Sequence, residues 1–289
     1  MRVNNVTIGS VVITAQPSNF SAGLYNLKGL TGLESPSRRT PSYNLPGSDG
    51  SRTTNALWGA RFIVMQIEIV GTSETDFRNK VVALSNELLM DSENPLKTIT
   101  FEDVDGNSYV VQGVPTSDSM PSGFGQRKFD TRTIEFRCDD YRLYSSTENV
   151  ETVYLRDSSG GVAIPTEVPL ALGAGSGGSI TVTNNGDIES CPVVRLSGPL
   201  TSPTIRNQTT GKSVKYDSTI LAGSYVDIDM GNRTAVDEFG NSVLGNIDPS
   251  IRNFWCLPPG DSTISFIHDG VYNADAHADI TWSDAYISV

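Results

Sequence analysis

Histidine is nearly absent from this sequence; His268 and His277 are the only two. No serine or cysteine stands in a nucleophile-like setting, so acyl transfer has little to work with. Cysteine is scarce as well. Cys138, Cys191 and Cys256 are widely spaced and odd in number, which argues against a disulfide framework and for buried free thiols in a reducing compartment. Positive charge is in deficit, with 21 Lys and Arg against 33 Asp and Glu for a net −12. An acidic surface repels phosphate backbones and anionic membranes, which excludes stable nucleic-acid binding. No apolar run approaches the roughly 18 residues of a membrane span. The first residues, Met1 to Asn5, carry no basic segment leading into an apolar stretch, and read as no secretion signal.

What is there is turn chemistry. Charged residues make up 19% and hydrophobic residues 37%. Gly, Ser, Thr and Asn fill the difference, as in short strands joined by many turns. The length suits two cores, and rising charge and turn content after Tyr144-Ser145-Ser146 places the boundary between domains 1–146 and 147–289.

In the first domain, Val11 to Thr14 is a short β-branched run. Glu34 to Ala56 holds Pro36, Pro41, Pro46, Gly47 and Gly50 without apolar period; such long loops usually clamp onto something. From Trp58 to Val70, the residues Ile63, Met65, Ile67 and Ile69 form a wholly apolar parity, which faces a core. One helix is expected over about 74–90. Ser73 and Asp76 read as a capping box, Phe77, Val81, Leu84, Leu88 and Leu89 as one apolar stripe, and Asn94-Pro95 as the stop. Asp105-Gly106 reads as a type I′ hairpin turn between strands at Lys97–Phe101 and Tyr109–Gln112. Thr131 to Arg137 is a further strand with Ile134 and Phe136 on one face.

The second domain reads as strands at Val150–Leu155, Ser179–Asn184, Pro192–Ser197, Thr204–Asn207, Lys212–Tyr216, Tyr225–Asp229, Arg233–Val236, Thr263–Phe266, His277–Trp282 and Ala285–Val289. Their spacing without helices argues for an antiparallel β-sandwich.

The motif matches fail their own structural tests. Gly173-Ala174-Gly175-Ser176-Gly177-Gly178 fits G-x-G-x-x-G, but a strand follows and not a helix. Gly211-Lys212-Ser213 resembles the end of a phosphate loop, yet Arg206 stands where its first glycine belongs. Asp103-Val104-Asp105-Gly106-Asn107 resembles a calcium loop with Ser108 at the glycine position and Val114 at the glutamate position. Asp275, His277 and Asp279 alternate and share a strand face; a metal site or a hydrolase would rest on them, whereas a solvated face explains them without either. Asp227 and Asp229 alternate with the core-facing Val226 and Ile228. Phe254, Trp255, Leu257, Phe266, Trp282 and Tyr286 suit a core better than a sugar-binding surface. No catalytic, cofactor or metal residue is assigned.

Whole stretches carry a further signal. Asn184-Asn185-Gly186-Asp187, Pro192 to Pro199, Pro203-Thr204-Ile205, Asn207 to Lys212, Leu221 to Asp229, Arg233-Thr234-Ala235, then Phe254, Leu257, Pro259-Gly260, Ile264 and Phe266, and finally Ala278 to Tyr286, resemble in order the distal tail protein family of long, non-contractile-tailed bacteriophages. Gly47-Ser48-Asp49-Gly50, Gly59-Ala60-Arg61, the single helix, Ile134-Glu135-Phe136 and Asp140 to Ser145 follow the family's order in the first half. The resemblance implies a mainly β protein with one helix. It implies an N-terminal barrel-like or sandwich-like ring domain and a C-terminal galectin-like antiparallel β-sandwich on the outside. It implies a structural, non-enzymatic homo-hexamer in the virion, a hub at the tail tip assembled in the host cytoplasm. The hub joins the tail tube protein to a tail-associated fibre or lysin protein, with a tape-measure protein as a further partner, and DNA passes through its channel. The alternative is a carbohydrate-binding module attaching the virion to the host wall. The galectin sugar motifs, His-x-Asn-x-Arg and Trp-x-x-Glu, are absent: Cys256-Leu257-Pro258 follows Trp255, and Ser283-Asp284-Ala285 follows Trp282.

Overall fold

The computed structural model describes residues 2–15, 25–47, 49–90, 95–119, 128–155 and 178–289. The chain divides into two compact units: Met1–Ser146 together with Tyr286–Val289, and Thr147–Ala285. The last four residues thus return to the first unit.

The first unit holds β1 (Val3–Ile8), β2 (Val11–Thr14), β3 (Tyr25–Thr31), β4 (Arg38–Arg39), β5 (Ser42–Asn44), β6 (Ser51–Thr53), β7 (Leu57–Trp58), β8 (Arg61–Val70), α1 (Glu74–Leu88), β9 (Lys97–Asp103), β10 (Ser108–Ser119), β11 (Phe129–Cys138) and the start of β12 (Leu143–Tyr154). Seven of these strands run in the order β11-β8-β3-β2-β1-β9-β10, and β10 pairs back onto β11. Closure leaves no open sheet edge. The apolar parity of β8 faces inward, as its alternation requires. Ile63, Met65, Ile67 and Ile69 meet Val6, Ile8, Ile13, Ile99, Phe101, Ile134 and Phe136 in one core.

The helix lies across one mouth of this barrel. The ends of β8 and β1 and the starts of β2, β3 and β11 ring that mouth. Tyr25 donates from its hydroxyl to Lys80 O at 3.0 Å, Arg132 donates to Val81 O at 3.3 Å, and Ser10, in the β1–β2 turn, donates from its hydroxyl to Glu87 at 2.6 Å. Phe77, Leu84 and Leu88 point down into the core. Leu89, assigned by its spacing to the buried stripe, is exposed, because the helix has already ended at Leu88. Asn94 of the expected stop lies outside the described residues. The cap also differs in detail. Asp76 N–H donates to Ser73 Oγ at 3.1 Å, but the Asp76 carboxylate accepts from Thr72 N–H at 2.8 Å, one residue before the cap.

The β9–β10 turn departs from type I′. Gly106 alone takes positive φ, and Asp105 does not. The Asp103 carboxylate instead staples the turn by accepting from the N–H groups of Asp105 and Asn107, both at 2.8 Å.

The second unit holds the rest of β12, then β13 (Gly178–Asn184), β14 (Val193–Ser197), β15 (Leu200–Thr201), β16 (Thr204–Asn207), β17 (Lys212–Tyr216), β18 (Thr219–Ile220), β19 (Tyr225–Asp229), β20 (Thr234–Asp237), β21 (Ile247–Arg252), β22 (Gly260–Ile267) and β23 (His277–Tyr286). Within it, β12-β23-β14-β19-β20 and β13-β22-β16-β17-β21 form two sheets. Val194, Leu196, Ile228 and Ile280 of the first meet Val182, Ile205, Ile264 and Phe266 of the second. Trp255, Leu257 and Trp282 are buried among them, so these residues are core. The two strands expected at the C-terminus are one, β23.

The cysteine expectation is overturned for two residues of three. Cys191 and Cys256 form a disulfide across 65 residues of chain. Each neighbours a backbone pair, Ser190 with Leu257, whose N–H groups donate to each other's carbonyls at 2.9 and 2.7 Å. That pairing opposes the two thiols, which distance in sequence had hidden. Cys138 remains free and buried, and burial pushes its thiol up to about 12.

Candidate assembly surface

The segment read as an irregular loop is a two-stranded ribbon. Arg38 and Arg39 pair with Trp58 and Leu57. Ser42, Tyr43 and Asn44 pair with Thr53, Arg52 and Ser51. Between the two ladders Thr54 N–H donates to Pro41 O at 2.9 Å, and at the root Gly59 N–H donates to Ser37 O at 2.8 Å. Eight residues from Ser37 to Asn44 at the rise of a strand reach roughly 26 Å. Every residue of β4, β5 and β6 is exposed. A lone two-stranded ribbon with no covered face is marginal by itself in water. Tyr43 and Leu57 nonetheless present about half their surface to solvent.

The root of this arm, by contrast, is fixed. Arg61 opens β8 and is 1% exposed. Its guanidinium donates to four carbonyls: Gly32 at 2.6 Å, Glu34 at 2.8 Å, Tyr141 at 2.9 Å and Ile287 at 2.6 Å. Those four come from the outgoing root of the arm, the end of the barrel and the C-terminal residues. Burial lowers the pKa of Arg61, but guanidinium stays charged in proteins and the fork suits several acceptors at once. Beside it a pile of rings and cations holds the returning strand. The Arg38 guanidinium lies 4.2 Å from the Trp58 ring centre, Trp58 stacks on Tyr141 at 6.0 Å, and Arg142 lies 4.7 Å over Tyr141. A cleft of about 340 Å³ opens at the root, lined by Arg39, Trp58, Gly59, Ala60, Phe62, Arg137 and Asp139. The signal for this root in the sequence was the family-like Gly59-Ala60-Arg61. The ribbon itself left no periodic signal in the sequence.

The residues weighed for chemistry do not converge. Asp275 sits in the turn before β23, where its carbonyl accepts from His277 Nδ1 at 2.7 Å. His277 and Asp279 share the outer face of β23, 3.6 Å apart. Asp227 is held by Arg195 at 2.7 and 2.8 Å, and Asp229 caps the turn at Gly231 and Asn232. Gly211-Lys212-Ser213 spans the β16–β17 hairpin turn and the start of β17, with Gly211 at φ +74°. Residues 173–177 of the glycine-rich run lie outside the described residues. Among the described residues no group of three His, Cys, Asp or Glu could hold a metal ion.

The family-like stretches prove to be corners. Asn184, 1% exposed, donates to Ile188 O and Leu257 O and accepts from Gly186 N–H. A Cβ at Gly186 would lie 1.9 Å from Ala285 O. Gly198, joined by a cis bond to Pro199, would put a Cβ 2.1 Å from Leu221 O. Residues 185–286, which contain both, match the family model of the siphovirus-type tail component, C-terminal domain. Over those residues the chain is similar to the tail components of siphophages. The whole fold is similar to the crystal structure of the SPP1 Dit protein (gp 19.1), described as a paradigm of hub adsorption apparatus in Gram-positive infecting phages. That similarity has a TM-score of 0.62 and 18% identity, and covers 90% of this chain and 93% of that one. The phage P2 baseplate in its activated conformation with calcium gives a TM-score of 0.49 and 11% identity over 89% and 90% of the two chains. No curated protein matches the sequence at a significant level.

Proposed function

We propose that this chain is a structural distal tail protein of the phage tail tip and forms a hexameric ring through its barrel unit. The ring joins the tail tube to a tail-associated fibre or lysin protein and leaves a channel for DNA. The galectin-like second unit, residues 147–289 in the sequence division, carries the outward contacts. The observation that supports this reading is the arm. An exposed ribbon on a rigid root has no reason to stay ordered except against another molecule. Its charge favours a copy of the same chain. Residues 35–60 carry Arg38, Arg39 and Arg52 against Asp49 alone, on a chain of net charge −12, so the arm complements the acidic surface of a neighbour. A ring of identical subunits closes such a head-to-tail contact.

The test is the mass of the full chain in solution by light scattering, with ring images by negative stain. A Tyr43→Asp, Leu57→Asp double variant should give monomers whose melting temperature matches the monomeric barrel. Monomers of the unaltered chain at micromolar concentration would overturn the ring, and an unchanged hexamer in the variant would overturn the arm's part in it.

A further inference from the structure

The outer face of the sheet β12-β23-β14-β19-β20 carries a pattern that the hub reading does not use. Its inner face is apolar, so an outer face of simple solvated residues is expected. Two adjoining rows are built differently. In the first, Ser197 stands opposite His277 on β23 and opposite Tyr225 on β19. Tyr154 of β12 extends that row, its ring 5.6 Å from the His277 ring. A hydroxymethyl side chain therefore lies between rings on both sides. Strands are roughly 4.8 Å apart, which separates the backbones under His277 and Tyr225 by roughly 10 Å. The result is a saddle with a small polar floor and aromatic walls.

The second row supplies oriented polar groups beside it. Arg195 stands opposite Asp227 and Asp279. It donates two hydrogen bonds to Asp227, and its guanidinium lies 4.1 Å from the centre of the Tyr225 ring. Asp279 accepts from Thr152 Oγ1 at 2.6 Å. Each carboxylate keeps a spare lone pair and Arg195 keeps N–H hydrogens. Their side chains are held by partners, so a ligand would meet them with little further loss of rotamer freedom. Tyr154 remains 57% exposed, which leaves the saddle open.

A sugar ring presents apolar C–H faces and a rim of hydroxyl groups that both donate and accept. Aromatic walls fit the first, and a row alternating Asp, Arg and Asp fits the second. Two carboxylates against one guanidinium disfavour anionic polymers. We propose that this saddle, Tyr154, His277, Ser197 and Tyr225 with Arg195, Asp227 and Asp279 beside it, binds a neutral saccharide ring. The site is separate from the residues of the galectin motifs, which the sequence lacks, and does not depend on whether the chain forms a ring.

The experiment uses the full chain, titrated by calorimetry and by saturation-transfer NMR with neutral hexose and N-acetylhexosamine oligosaccharides and with a teichoic acid. At least one neutral oligosaccharide should bind with a dissociation constant of about 1 mM or tighter. Ser197→Tyr, which fills the saddle from an outward position, should weaken that binding at least about tenfold without shifting the melting temperature. Thr234→Ala, two rows away on the same face, should leave it unchanged. No binding of any neutral oligosaccharide, binding of the teichoic acid alone, or equal loss in both variants would each overturn the site. Should Ser197→Tyr alter melting, Tyr225→Ala is the second variant, and unchanged affinity in it overturns the site equally.

Discussion

At the scale of single residues, Arg61 concentrates more consequence than any other side chain described. Four carbonyls accept from it inside the protein, and removing it strands all four without water. Arg61→Ala should lower stability by about 3 kcal/mol or more, read from the denaturant midpoint of the barrel's unfolding. Arg61→Lys should recover little of that, because one ammonium cannot span four divergent acceptors. Gly59-Ala60-Arg61 was legible in the sequence as a family-like entry to a strand, yet nothing local announced a buried cation. Its partners stand at 32, 34, 141 and 287, and only the closed barrel brings them together. The glycines of the second unit teach the same lesson. Gly186 and Gly198 fall in the family-like stretches, but the reason they admit no side chain is a carbonyl about 99 and 23 residues away along the chain.

The elements carry a second set of expectations. The cap of α1 rests on Ser73 and Asp76, and Ser73→Ala should cost about 1 kcal/mol. The backbone N–H of Thr72, with Lys80 beside it, holds the Asp76 carboxyl below its ordinary 3.8. A lowered folded pKa gives stability that is present above the unfolded value and lost as pH falls through the folded one. Asp76→Asn should therefore melt below the unaltered chain at neutral pH. That gap should close as pH drops under 3.8, and a gap independent of pH would contradict the assignment. In the second unit the disulfide closes a 65-residue loop. Chain entropy alone gives about 4 kcal/mol for a loop of that size. Reduction should lower the melting transition of the second unit and leave that of the barrel in place. Strands β16, β17 and β19 fall where alternation and turn residues put them. The arm's ribbons did not show, because strands two or three residues long with both faces wet have no alternation to read.

For the whole molecule, the proposed ring rests on the arm. A basic ribbon meeting an acidic neighbour gains much of its attraction from charge, and salt screens such contacts. If the proposed ring forms, raising ionic strength from about 0.05 to about 1 M should shift it towards smaller species in sedimentation, and an assembly insensitive to salt would point to an apolar interface at Tyr43 and Leu57 instead.

The sequence by itself determined the class: mostly β strands and one capped helix. Those follow from short-range causes, the period of apolar residues and the dihedral needs of turn residues. Tertiary structure decided the rest. It closed seven strands into a barrel, laid α1 over one mouth, sent the last four residues back beside Arg61, and opposed Cys191 to Cys256. Each joins positions far apart in the chain. Such pairings depend on which strands become neighbours, and no window of sequence contains both partners.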